Sequence, residues 1–146
     1  MEIEIISNEN KLWNKVINYA DNCSWVAGKF LAINMRKNNF TSWERVIAVI
    51  DNNNIIGFST LTKKDGNPNL EYGPFIGFVF VDEKYRGNRI SEEMINTGLE
   101  YFKLLNFNEA YIISEESGLY EKYGFKVVQE KQNNFGNIEK IFKKEL

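Results

Sequence analysis

Apolar and polar residues alternate over Glu2–Ile6, the period-two pattern of a half-buried strand. Residues 7–11 are polar, and beyond them Leu12, Val16 and Tyr19 recur at helical spacing. Asp21 and Ser24 offer caps for a second helix that carries Trp25, Phe30, Leu31 and Met35. Residues 43–50 and 55–62 are rich in β-branched and aromatic side chains, and the short Asp-Asn-Asn-Asn stretch between them predicts a hairpin.

Residues 63–74 are polar and contain Gly66, Pro68, Gly73 and Pro74, which reads as a surface loop placed to touch a ligand. An apolar strand, Phe75–Val81, follows, and residues 82–89 form a tight polar connection. From Ile90 the period changes, with Met94, Ile95, Leu99, Phe102 and Leu105 on one helical face. Residues 110–113 predict a short strand and 117–123 a short helix. A further strand at 125–129 pairs with 138–142 across the polar turn 132–137. The expected fold is α/β in the mixed α+β sense: one domain over residues 1–146, with a central mixed sheet of six or seven strands and about four flanking helices. Both faces of such a sheet must be covered.

Composition narrows the chemistry. A net charge of -2 from 18 basic and 20 acidic residues leaves no broad basic field, so nucleic acid is not an expected partner. A local nest of backbone N–H groups still admits a small anion. Cys23 is the single cysteine and histidine is absent, which removes disulfides, histidine bases, histidine-assisted nucleophiles and histidine-ligated zinc. Proton transfer falls to carboxylates, tyrosine, lysine or water. No apolar run approaches the length a bilayer helix needs, and no leader pattern opens the chain, so a cytoplasmic protein without metal or membrane partner is expected.

The segment Val81-Asp82-Glu83-Lys84-Tyr85-Arg86-Gly87-Asn88-Arg89-Ile90-Ser91 lies between the apolar strand and the long amphipathic helix. The unpaired amides of a first helical turn, with Arg86 and Arg89 nearby, suit a diphosphate. The plainer alternative is a turn made by Gly87 and Asn88, a cap at Ser91 and two solvated arginines. The spacing is not that of a dinucleotide-binding glycine loop.

Here the chain resembles the GNAT superfamily of acyl-CoA N-acyltransferases, whose signature is an arginine or glutamine followed at three and five residues by small residues. Arg86 takes the first position, Arg89 stands where the family usually has glycine, and Ser91 where it has glycine or alanine. A bacterial subset carries a pattern very like Tyr-Arg-Gly-Asn-Arg-Ile-Ser. Gly118-Leu119-Tyr120-Glu121-Lys122-Tyr123-Gly124-Phe125 resembles the family's late helix, and the order of elements fits over nearly the whole chain.

The resemblance implies acetyl-CoA as acyl donor and a primary amine, on a small molecule or a protein, as acceptor. It implies that Phe78, Val79, Phe80 and Val81 meet the pantetheine and thioester, and that Arg86, Gly87, Asn88, Arg89, Ile90 and Ser91 wrap the pyrophosphate. Tyr120 would protonate the departing thiolate as general acid, with Tyr123 beside it in the coenzyme site, and a homodimer is an expected assembly. Glu71 is a candidate base, and Glu115 and Glu116 are others. Trp25, Phe30, Phe40 and Trp43 fit a core better than an acceptor pocket, and Cys23 fits a small filler. Two other readings stay open: a regulatory domain that binds acyl-CoA or a nucleotide without turnover, and a protein-interaction domain with no cofactor.

Overall fold

In the computed structural model, which describes residues 1–65 and 71–146, seven strands form one sheet in the order β1-β2-β3-β4-β5-β7-β6. The strands are β1 (Glu2–Ile6), β2 (Arg45–Asp51), β3 (Asn54–Thr62), β4 (Phe75–Val81), β5 (Glu109–Ser114), β6 (Lys126–Gln132) and β7 (Ile138–Glu145). The helices are α1 (Trp13–Asn22), α2 (Ala27–Arg36), α3 (Ile90–Leu104) and the single turn α4 (Leu119–Lys122). Neighbouring strands are antiparallel except β4 and β5, which run parallel.

Alternation along β2 divides the core between the two faces of the sheet. Val46, Ala48 and Ile50 pack with Val16, Ala20, Leu31 and Met35 beneath α1 and α2. Ile47 and Val49 pack on the opposite face with Met94, Ile95, Leu99 and Phe102 of α3 and with Tyr120 of α4. Mixed sheet, strand count and two-sided cover all match the expectation. The hairpin forms at a two-residue turn, because Asn52 and Asn53 both adopt positive φ, 50° and 68°, the conformation that follows the twist of the flanking strands.

Four local expectations need correction. The second helix begins at Ala27 without a side-chain cap, leaving Trp25 on the connection before it, because the Ser24 hydroxyl binds Glu83 instead. Trp25 and Phe30 are exposed, not core, while Phe40 and Trp43 are partly buried. Leu105 lies past the end of α3 and is exposed. The last two strands run longer than their apolar stretches, since backbone pairing from Lys126↔Lys143 to Gln132↔Ile138 carries them through charged residues. Loop residues 66–70, with Gly66 and Pro68, lie outside the described residues.

Candidate functional site

The site originates in a mismatch between two parallel strands. β4 and β5 pair in register only at Phe75↔Tyr111, so beyond that point the strands splay. The edge of β4 that faces β5 loses its ladder partners from Ile76 onward, and backbone N–H and C=O groups open into a cleft. The cleft has a volume of about 860 Å³ and is walled by β4, by Ile112, Ile113 and Ser114 of β5, by the turn before α3, and by Tyr120 and Tyr123.

A bulge adjusts the wall. In the β3–β4 ladder Phe58 faces Phe80 and Thr60 faces Gly77, so Phe78 and Val79 share the space opposite Ser59. Phe78 has φ 48°, a region that a bulky residue rarely occupies, and strain of this kind tends to cluster at ligand sites. The buried Ser59 hydroxyl donates to the Gly77 carbonyl at 2.8 Å and fixes the base of the bulge. Phe78 packs toward the α1 and α2 face, Val79 toward the α3 face.

The turn after β4 is built from side chain to main-chain bonds. Asp82 accepts from the Lys84 amide at 3.0 Å and starts a 3₁₀ turn over Glu83–Tyr85. The Arg86 Nε donates to the Val81 carbonyl at 2.9 Å, and its guanidinium lies 5.5 Å from the Phe80 ring centroid. The Asn88 side chain donates to the Tyr85 carbonyl at 2.9 Å, which closes the turn from outside; Asn88 itself is exposed and does not line the cleft. Gly87 and Arg89 both have positive φ, 87° and 60°. Arg89 is the residue preceding α3, so the first amides of that helix, without carbonyl partners in the helix, face the mouth of the cleft.

The left-handed backbone at Arg89 explains why glycine suits this position. It also shows that arginine leaves the cleft open, because its side chain is 84% exposed and reaches Glu92 at 3.8 Å. Ser91, expected as a cap, instead shares a 3.0 Å hydrogen bond with the Tyr123 hydroxyl, joining α3 to α4 across the cleft.

Tyr120 is buried among Phe125, Phe142 and Tyr123. Burial first, then the nearby Glu116 carboxylate and Tyr123, push its phenol up to about 12, while Ser114 as a hydrogen-bond partner acts the other way. The phenol therefore remains protonated at neutral pH. Trp25, missed as a site residue, reaches the cleft from before α2 and stacks on Phe80 at 5.9 Å and on Phe58 at 6.4 Å. Its position before the helix, not within it, removes it from the core, and helical spacing alone conceals that.

The structure thus gathers Phe78, Val79, Phe80, Val81, Arg86, Gly87, Arg89, Ile90, Ser91, Tyr120 and Tyr123 around one cleft. Glu71 is exposed and does not line it. Glu116 lines it, whereas Glu115 is exposed and accepts from Asn133 at 2.9 Å. Cys23 is partly buried, with its thiol donating to the Ala20 carbonyl. Among the described residues no cluster of three or more His, Cys, Asp or Glu could hold a metal ion, and no helix is long and apolar enough to cross a membrane.

Residues 42–127 match a family model described as an acetyltransferase (GNAT) domain. Solved structures share the fold across the chain. One is the aminoglycoside 6'-N-acetyltransferase from Enterococcus faecium, 14% identical, with TM-score 0.78 and coverage of 99% of this chain and 97% of that one. An aminoglycoside 6'-N-acetyltransferase complexed with coenzyme A is 15% identical, with TM-score 0.75 and the same coverage of both chains. A GNAT family acetyltransferase from Elizabethkingia anophelis, with acetyl-CoA bound, is 18% identical with TM-score 0.68, again covering 99% and 97%. No curated protein gives a significant sequence match.

Proposed function

The chain belongs to the GNAT acetyltransferase family, and from that premise we propose that it transfers an acetyl group from acetyl-CoA to a primary amine by direct attack in a ternary complex. The splay of β4 from β5 beside a left-handed turn at a helix N-terminus is the observation that carries this reading. One continuous segment, from Ile76 to Ser91, offers unpaired strand groups for an amide-bearing arm and then helix amides and arginines for a diphosphate. The coenzyme and acetyl-CoA in similar structures support the same donor.

In this reading β4 amides at the bulge stabilise the oxygen of the tetrahedral intermediate. Tyr120 faces the sulfur from the α3 side. A phenol at about 12 is a poor proton source for a thiolate whose own pKa lies near ~8.5, since complete transfer would cost roughly 5 kcal/mol. Its contribution is a strong hydrogen bond to the sulfur as the C–S bond breaks, and solvent completes protonation. The donor already carries an activated acyl group, so alignment of the amine supplies much of the remaining rate.

The acceptor enters beside Trp25 and Phe78, on the α1 and α2 side. Glu83 and Glu116 line the cleft and favour a cationic amine. Amino sugars, as the similar aminoglycoside acetyltransferases suggest, are the first acceptors to test. The experiment is thiol release from acetyl-CoA with and without an amine. Amine-dependent release together with thermal stabilisation by coenzyme A is expected. Stabilisation without release would show a binding domain, and neither would show a domain that does not use the coenzyme.

A further inference from the structure

One carboxylate, itself outside the cleft lining, packs behind a strand residue that does line it. Asp65 follows β3, and its side chain lies over Gly77 of β4: a β-carbon at Gly77 would fall 3.0 Å from Asp65 Oδ1 and 2.9 Å from Thr60 Oγ1. The missing side chain of Gly77 is the space in which the carboxylate sits. Thr60 and Gly77 are register partners, and Thr60 is two residues from Phe58 on the α1 and α2 face. Asp65 is therefore on the side of the sheet that carries Phe78 and Trp25, while Tyr120 is on the other. Gly77 itself lines the cleft next to the bulge.

Among the described residues the partly buried carboxylate has no hydrogen bond or ion pair, and its oxygens keep access to solvent. Glu139 of β7 faces it and lies 3.8 Å from Lys131, and the neighbouring Lys64 directs its ammonium to the Tyr72 carbonyl at 2.9 Å. Burial first, and then Glu139, push Asp65 up to about 6. An acid in that range is ionised at neutral pH, yet basic enough to take the surplus proton from the amine nitrogen once it has bonded to the thioester carbon.

We propose that Asp65 is the general base that receives the acceptor's proton through one water beside Gly77. This inference rests on the transferase reading above. The amine nitrogen forms its bond to the thioester carbon, the carbonyl electron pair moves to oxygen, and the surplus proton on nitrogen passes through that water to the Asp65 carboxylate. The oxygen pair then returns as the C–S bond breaks. The thiolate leaves toward Tyr120 and is protonated by solvent, and Asp65 releases its proton to solvent. Base and hydrogen-bond donor thus work from opposite faces of the sheet, with the splay between them.

The test compares the wild type with Asp65→Asn, using kanamycin, spermidine, an alanine peptide and hydroxylamine as acceptors. Coenzyme A affinity, measured by calorimetry, should be the same in both proteins. With an alkyl amine the wild-type kcat/KM should rise through a limb near pH 6. The variant should lose that limb and about 100- to 1000-fold in kcat, the range of positioned base catalysis. Hydroxylamine, largely unprotonated at neutral pH, should lose far less. A variant that binds coenzyme A normally and keeps the acid limb overturns the assignment alone. A wild type that acetylates none of the four overturns the transferase reading and the assignment together. Carbon-detected NMR of labelled aspartate supplies an independent reading: an Asp65 that titrates near 4 removes the basis for a base.

Discussion

The two walls of the cleft are made in different ways. The wall assigned to the coenzyme is a contiguous run from β4 through the turn to the start of α3, and it offers mainly backbone. The wall assigned to the acceptor is assembled from side chains far apart in sequence: Trp25 before α2 and Phe78 at the bulge, with Asp65 after β3 packed behind Gly77. A wall of main-chain groups tolerates changes in its side chains so long as the dihedral angles survive, as the arginine in a left-handed position shows. A wall of converging side chains depends on each residue and on the empty space beside it.

The largest expected effect tests that dependence on space. Gly77→Ala adds a single carbon that meets Asp65 and Thr60 at 3.0 and 2.9 Å, and the loop-borne Asp65 is the partner that gives way. Turnover should fall about 100-fold, close to the loss from removing a positioned base. Coenzyme affinity should change little, because the β4 edge toward β5 is untouched. Parallel calorimetry and steady-state kinetics check the split; equal losses in binding and turnover would show that the two walls are not separable.

Tyr120→Phe probes the opposite wall. The ring keeps its packing with Phe125 and Phe142 while the hydroxyl is lost. A hydrogen bond to a charged group contributes about 1.5–3 kcal/mol, so kcat should fall about 10- to 150-fold with donor affinity near normal. An unchanged kcat would leave the thiolate to solvent alone.

Asp65 also makes the contrast visible in stability. Its carboxyl is raised from an ordinary 3.8 to about 6, so the folded state binds the proton more tightly than the unfolded chain. Stability is therefore greatest below the lower value and declines as pH rises from about 4 to about 6. Asp65→Asn, which imitates the protonated form, should be more stable than the wild type by about 1–3 kcal/mol at pH 7 and no more stable at about pH 3. Urea unfolding at the two values decides; a variant less stable at pH 7 would show that the charge is compensated. Greater stability with lower activity is the usual signature of a group kept for function.

The difference between the walls also explains what the sequence could show. A main-chain site leaves its trace in consecutive residues, and the apolar run of β4, the Arg-Gly-Asn-Arg turn and the amphipathic face of α3 were readable in order. Tyr120 was readable by resemblance, but its contact with Phe142 depends on β7 returning beside β5. Asp65 and Gly77 are an ordinary loop acid and an ordinary strand glycine until the β3–β4 register brings them together. Trp25 escaped because helical periodicity does not mark where a helix begins. The bulge at Phe78 has no local signal at all, since a long aromatic residue is among the least expected at positive φ.

The smallest effect belongs to Arg89. A left-handed backbone at a non-glycine residue costs about 1–2 kcal/mol, and a cation beside the first turn of a helix adds a few tenths more. Against this, glycine carries extra freedom in the unfolded chain, worth about 0.5–1 kcal/mol. The pair with Glu92, at 3.8 Å and on a side chain that is 84% exposed, returns little. Arg89→Gly should therefore raise stability by about 0.5–1 kcal/mol, or roughly 1–4 °C for a chain of this size. The helix amides stay in place, so coenzyme A should still bind, with affinity lower by about 3- to 10-fold through the lost charge and with a weaker dependence on salt. Thermal unfolding and calorimetry at two salt concentrations measure both sides of the exchange. A variant that gains no stability would show that the turn prefers arginine for a local reason. One that no longer binds coenzyme A would move the phosphate contact from backbone to side chain and dissolve the contrast between the two walls.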